Sequence, residues 1–351
     1  MRLFRCATIL VTTAVIGGPL LPAMPAGAAV QATAAKSWRV AFTGGKLSFT
    51  AITAASATSA WAFGNNFDGG RPSAYQLSGS RWKQRSFPGA AYDQVVSAGS
   101  TSSSNVWAFM QVGLEGQTGE ALRFNGHSWS VMQKFSGELS SGTVISQTDV
   151  WVFGPGGTWH FNGITWAKSA SAGKLSGASA LSPSNIWAFG GTTVAHWNGS
   201  SWKRTSLAGL IPKNALGEKG IDGIYAASAR SVYALGSEHG ESVGGPLVLL
   251  HYNGSRWSRL VVSKNVGEPR AIIPDGSGGV WIPVLVFILG GGVNHYSHGK
   301  LSSAALPINA AHLGLVSGAR APRSTVAFIG GFERTSDNVT DEKGVILRYG
   351  T

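Results

Sequence analysis

Six residues scattered along the chain carry the groups from which a site can be built: Tyr92, Asp93, Asp222, Glu268, Arg270 and His312. Each lies near the start of an apolar run, as do Glu138 and Lys174. Carboxylates converging with an arginine and a histidine can hold a cation or supply general acid and base groups. A second cluster, Asp337-Asn338-Val339-Thr340-Asp341-Glu342, gathers hard oxygen donors. Asp337 and Asp341 are its candidate Ca2+ ligands, although the cluster lacks the spacing and the glycine of an EF-hand. Histidines 160, 196, 251 and 295 each precede an aromatic residue. They recur in separate repeats, and equivalent strands of such repeats lie on the order of 10 Å or more apart, too far to share one ion. Their regularity marks a structural position. No nucleophile elbow, phosphate loop or paired-cysteine motif is present.

Composition narrows the setting. The chain has 351 residues and a formal net charge of +12, with 49 glycines, 13% charged residues and 43% hydrophobic residues. That suits a compact protein of many tight turns and excludes a disordered tail. Arg2 and Arg5 precede an apolar run from Ala7 to Leu21, and Ala26-Gly27-Ala28 supplies small residues for cleavage. Residues 1–28 therefore read as a secretory signal peptide, and 29–351 as one domain at an extracellular location. Cys6 is the sole cysteine, has no lipobox before it and leaves with the signal, so the mature chain forms neither a disulfide nor a thiolate metal site. The longest later apolar run, Val280 to Leu289, is interrupted by Pro283 and is too short to span a bilayer.

The elements that must position these groups are repeats. Trp-Ala-Phe-Gly or a relative recurs at Trp61, Trp107, Trp151, Trp187, Tyr233, Trp281 and Val326. A spacing of roughly 45 residues on an all-β pattern means one four-stranded blade per repeat. The turns Asn125-Gly126, Asn162-Gly163, Asn198-Gly199 and Asn253-Gly254 join the third and fourth strands, because both residue types accept positive φ. Each is followed by a tryptophan, namely Trp129, Trp166, Trp202 or Trp257. The sequence stops after a third strand at 344–349, and residues 36–42 form a fourth strand lacking its predecessor. The prediction is an all-β, seven-bladed propeller of four-stranded antiparallel blades, its ring closed by the N-terminal strand pairing with the C-terminal blade.

An apolar second strand ending in glycine, an aromatic on the third strand and a tryptophan on the fourth resemble the pattern of kelch-type propellers. Gly190-Gly191 and Gly330-Gly331 match the kelch double glycine, which the first, second, third and fifth repeats lack. The segment from Asp275 to Trp281 resembles the Asp-box turn of sialidase-like propellers, and the whole resembles exported actinobacterial propeller-repeat proteins. The resemblance implies a fold and no particular chemistry, since the matching residues are architectural.

Strand order sorts the loops onto two faces. First-to-second and third-to-fourth connections are short. The other connections carry the long loops, and function usually sits on variable loops of a rigid scaffold. All thirteen tryptophans fall on strands, where packing between blades accounts for them. A sugar site would have to use the long-loop aromatics Phe67, Phe87, Tyr92, Phe135 and Phe332. Phe287-Ile288-Leu289 forms an apolar tip on the same face. Lys and Arg line the fourth strands, where they guard exposed edges against pairing; adhesion to an anionic polymer is the sharper reading of the same charges. The expectation is a secreted, non-catalytic binding propeller, monomeric and without a nucleic-acid partner, engaging a glycan, cell-envelope polymer or protein. The alternative is a hydrolase or lyase acting on polysaccharide at the channel mouth.

Overall fold

The computed structural model describes residues 36–115, 117–169, 172–211, 220–237, 246–286, 290–334 and 342–351. They form seven sheets with four positions each. Blade 1 holds β2 (Leu47–Ser56), β3 (Ser59–Asn66), β4 (Ser73–Ser78) and β5 (Arg81–Arg85). Blade 2 holds β6 (Gln94–Ser102), β7 (Asn105–Val112), β8 (Thr118–Phe124) and β9 (Trp129–Ser136). Blade 3 holds β10 (Ser141–Val144), β11 (Val150–Gly154), β12 (Gly157–Phe161) and β13 (Trp166–Lys168). Blade 4 holds β14 (Gly177–Ser182), β15 (Asn185–Gly190), β16 (Thr193–Trp197) and β17 (Trp202–Ser206). Blade 5 holds β18 (Gly220–Ser228), β19 (Ser231–Ser237), β20 (Pro246–Tyr252) and β21 (Trp257–Val266). In blade 6 the inner position is split into β22 (Glu268–Pro269) and β23 (Ile273–Pro274), both pairing with β24 (Val280–Val286); β25 (Gly290–Ser297) and β26 (Lys300–Ser303) follow. Opposite the break stands Pro283 of β24, whose carbonyl accepts from the Arg270 N–H at 3.0 Å but which has no N–H to return the second ladder bond.

Blade 7 is assembled from both ends of the described chain. Its β27 (Leu313–Arg320), β28 (Ala327–Arg334) and β29 (Glu342–Tyr349) are completed by β1 (Trp38–Thr43). The closing pair is antiparallel, with Trp38 opposite Tyr349 and Thr43 opposite Val345. This bears out the predicted architecture and closure. The blade 7 register needs a correction. The sequence period places this repeat at Val326, but Phe328 sits opposite Arg348 as Trp61 sits opposite Gln76. Phe328, two residues later, is therefore the counterpart of Trp61.

The core lies between the blades. Trp61, Phe63 and Ala74 of blade 1 pack on Val95, Val106, Met110 and Leu122 of blade 2, and the same arrangement runs round the ring. Six of the seven interfaces share one fastener. The tryptophan opening a fourth strand meets the second-strand aromatic of the preceding blade edge to face: Trp129 on Trp61, Trp166 on Trp107, Trp202 on Trp151, Trp257 on Trp187, Trp38 on Trp281 and Trp82 on Phe328. Ring centroids are 5.2–6.1 Å apart and planes meet at 74–89°. That geometry sets the positive edge of one ring against the negative face of the other. The indole nitrogens of Trp61, Trp129, Trp151 and Trp202 are buried at these interfaces without a conventional acceptor.

Candidate functional site

The repeating histidines are explained by packing. His160, His196 and His295 lie directly across the ladder from Trp151, Trp187 and Trp281 and stack on them at 4.1, 4.2 and 3.7 Å. His251 takes the same place beside Tyr233, at 4.8 Å. Each Nε2 is tethered to the short-turn side, to Asp149, Asn185, Ser231 or Asp275, at 2.9–3.0 Å. Arg123 and Arg348 occupy this position in blades 2 and 7, with their guanidinium groups over Trp107 and Phe328. Asp275 also accepts from the N–H groups of Ser277 and Gly279 at 2.6 and 2.9 Å. Burial raises its pKa, but the bond from His295 and those two N–H groups outweigh burial and hold it below the ordinary aspartate value. Burial, aided for His196 by Lys203, holds His196 and His251 below the ordinary histidine value.

Among the described residues, two cavities open on the long-loop face. The larger, about 650 Å³, lies at the channel mouth among the starts of the inner strands. Ser97, Gly142, Gly177, Asp222 and Arg270 line it, so blades 2 to 6 contribute. Asp222 is not idle there, since it accepts a short hydrogen bond from Ser237. The smaller cavity, about 330 Å³, is walled by blades 6 and 7 and the β3–β4 loop of blade 1. Phe67, Leu285, Leu313 and Phe332 make its apolar lining, and Arg270, His312, Arg334 and Glu342 its polar one. Phe67 meets Phe332 edge to face at 5.5 Å and 90°, and the Arg334 guanidinium lies 5.7 Å from the Phe332 ring. Arg270 pairs with Glu268, and Arg334 with Glu342 at 3.0 Å, so both guanidinium groups are held in place. His312 is positioned by a 3-10 turn, Ala310–His312, capped by the Asn309 side chain.

The structure divides the six sequence candidates. Asp222 and Arg270 share the mouth cavity, while Arg270 and His312 share the smaller one, with Glu268 fixing Arg270. Tyr92 and Asp93 line neither. Tyr92, at φ +68°, packs on Gly69, and its N–H donates to the Gly69 carbonyl at 2.8 Å. Asp93 is buried and accepts from the N–H groups of Ala90 and Gly113 at 2.7 and 2.8 Å, tying two loops together. Glu138 accepts from Gln111 at 2.7 Å, and Lys174 is exposed. Phe135 and Phe332, read as long-loop aromatics, instead lie on β9 and β28, and Phe135 is buried against Trp159 and Trp166. Asp337, Asp341 and the 287–289 tip lie outside the described residues. Sequence reasoning missed Arg334 and read Glu342 only as part of the oxygen-donor cluster. They flank the long seventh-blade loop with opposite charges eight residues apart, a signal that was there to be read.

The sequence matches no family model and no curated protein. The fold is similar to several solved propellers. YCF48 bound to D1 peptide superposes with a TM-score of 0.57 at 13% identity, covering 90% of this chain and 97% of that one. A GH74 xyloglucanase from Xanthomonas campestris gives 0.61 at 14%, covering 86% and 54%. The SapL1 lectin in complex with alpha methyl fucoside gives 0.50 at 15%, covering 77% and 100%. At such identities the likeness is one of fold. The chain is a seven-bladed β-propeller, and its site must be argued from its own residues.

Proposed function

We propose that this propeller is an exported binding protein that takes a glycan in the pocket formed by blades 6, 7 and 1. One observation carries the reading: Phe67 of the β3–β4 loop and Phe332 of β28, from opposite ends of the sequence, meet over a cavity that also presents Arg270, His312 and Arg334. Aromatic rings offer a surface to the C–H face of a pyranose, while guanidinium and imidazole groups supply fixed donors for its hydroxyls. The signal-peptide reading of residues 1–28 supports export. Solved propellers of the same fold include a lectin and a peptide-binding protein, which fits a binding role.

The test is calorimetric titration with a panel of neutral and acidic oligosaccharides. At least one sugar binds, and Phe67→Ala and Phe332→Ala each weaken it by about tenfold, the order of one lost aromatic contact of about 1.4 kcal/mol. Release of new chain ends from any glycan, abolished in Asp222→Ala or Glu268→Ala, would replace this reading with a hydrolase or lyase.

A further inference from the structure

A third cavity lies apart from both, in the outer groove between blades 1 and 2. Its volume is about 710 Å³, within the range of small-molecule sites. Phe87, Pro88 and Trp129 are half-buried and form its walls. Arg71, Arg85 and His127 are exposed and form its rim, and no carboxylate is among the lining residues. This absence separates it from the pocket above, where Glu268 and Glu342 neutralise the arginines. Here each guanidinium is fixed through Nε alone: Arg71 donates to the Gly89 carbonyl at 2.7 Å, and Arg85 to the Gln76 side-chain oxygen at 3.0 Å. Their terminal amino groups engage no partner among the described residues.

Two cations lining one groove beside an aromatic wall, with no carboxylate among the lining residues, favour an anion between them. Fixing the forks beforehand also lowers the ordering cost of binding one. The ligand must therefore be anionic. The wall adds a second requirement, a flat apolar face close to the charge. Simple phosphate lacks that face and a neutral sugar lacks the charge. A uronic-acid unit has both, a pyranose C–H face and a planar carboxylate that matches a guanidinium fork.

We infer that the groove between blades 1 and 2 is a second, independent ligand site for a uronic-acid unit of an acidic polysaccharide, with Arg71 and Arg85 holding the carboxylate against the Phe87–Trp129 wall. The experiment is calorimetric titration of the full-length protein with trigalacturonate, neutral galactotriose and tripolyphosphate at one fixed ionic strength. Trigalacturonate binds; galactotriose and tripolyphosphate bind at least tenfold more weakly. Arg71→Gln and Arg85→Gln each lower trigalacturonate affinity tenfold or more, with unchanged melting temperature because both side chains are exposed. The double variant Arg81→Gln/Lys83→Gln, which removes cations of β5 outside the groove, leaves it within about twofold. Absence of trigalacturonate binding would overturn the inference. So would equal affinity for galactotriose or tripolyphosphate, or an equal loss in the Arg81/Lys83 variant, which would mean diffuse charge attraction.

Discussion

Asp275 is 5% exposed, and both of its carboxylate oxygens are engaged, by His295 on one side and by two backbone N–H groups on the other. Its depressed pKa makes it a source of stability above the ordinary aspartate range, lost as pH falls through the lowered value. His196 and His251 act with the same sign. Their folded values are lowered by burial, so their contribution is complete above the unfolded histidine value of about 6.5 and is lost on acidification below it. The melting temperature is therefore expected to fall on acidification in two stages, first below about pH 6.5 as the histidines resist protonation and again below about pH 4 as Asp275 takes up its proton, in a series of thermal melts at constant ionic strength. Asp275→Ala leaves buried N–H donors and a histidine without their acceptor, and should cost about 3 kcal/mol by denaturant titration. The period of the histidines was legible in the sequence. Their tether was less so, although Asp149, Asn185 and Ser231 each stand two residues before the aromatic on which the histidine stacks. In blade 6 the Asp275 turn is longer and hides the same relation.

At the scale of the element, the ring fastener has one gap. Tyr296 faces Leu301 across the ladder where the other blades place a tryptophan, and Leu301 lines a cavity of about 230 Å³ against β21 of blade 5. The same blade has the split inner strand. Leu301→Trp should fill part of that space, restore the edge-to-face pair with Tyr233 and stabilise by about 1 kcal/mol, read as a rise of a few degrees in the melting temperature. A drop would mean that the cavity cannot take the indole. Amide exchange should be faster in β24 to β26 than in the corresponding strands of blade 2. A second element rule concerns the glycine that ends the second strand. A Cβ on Gly190 would lie 2.6 Å from the Lys174 carbonyl, in the segment that leads into β14, and one on Gly331, within β28, would strike the Gly314 carbonyl. Gly190→Ala should therefore destabilise by about 2 kcal/mol through backbone displacement. Strands and turns were readable because alternation and Asn-Gly turns are local properties. The partnership of Phe67 with Phe332 was not, since it depends on where the last blade meets the first.

The whole molecule is a ring whose final seam is non-covalent. Trp38 is 5% exposed and touches both Trp281 and Tyr349 with centroids at 5.4 Å, so one side chain joins β1 to blade 7 and blade 7 to blade 6. Trp38→Ala should cost about 4 kcal/mol and lower the denaturant midpoint at an unchanged slope if unfolding remains a single step. The sequence showed this closure because a fourth strand without a third is a local anomaly at each end. It could not show which loops the closure brings together, and the pocket of blades 6, 7 and 1 is the product of that meeting. The pairing of Trp38 with Tyr349 also imposes an order in time. The strand that emerges first must wait, without its hydrogen-bonding neighbour, until the strand that follows all the other blades has emerged. Most of the ring can form by short-range hairpins during that interval, but the closing contact has one of the longest sequence separations in the chain, and such contacts set slow folding rates. Until it forms, β29 and β1 both expose free edges, so the newly made chain is most open to association with other chains in the period just before the circle is complete.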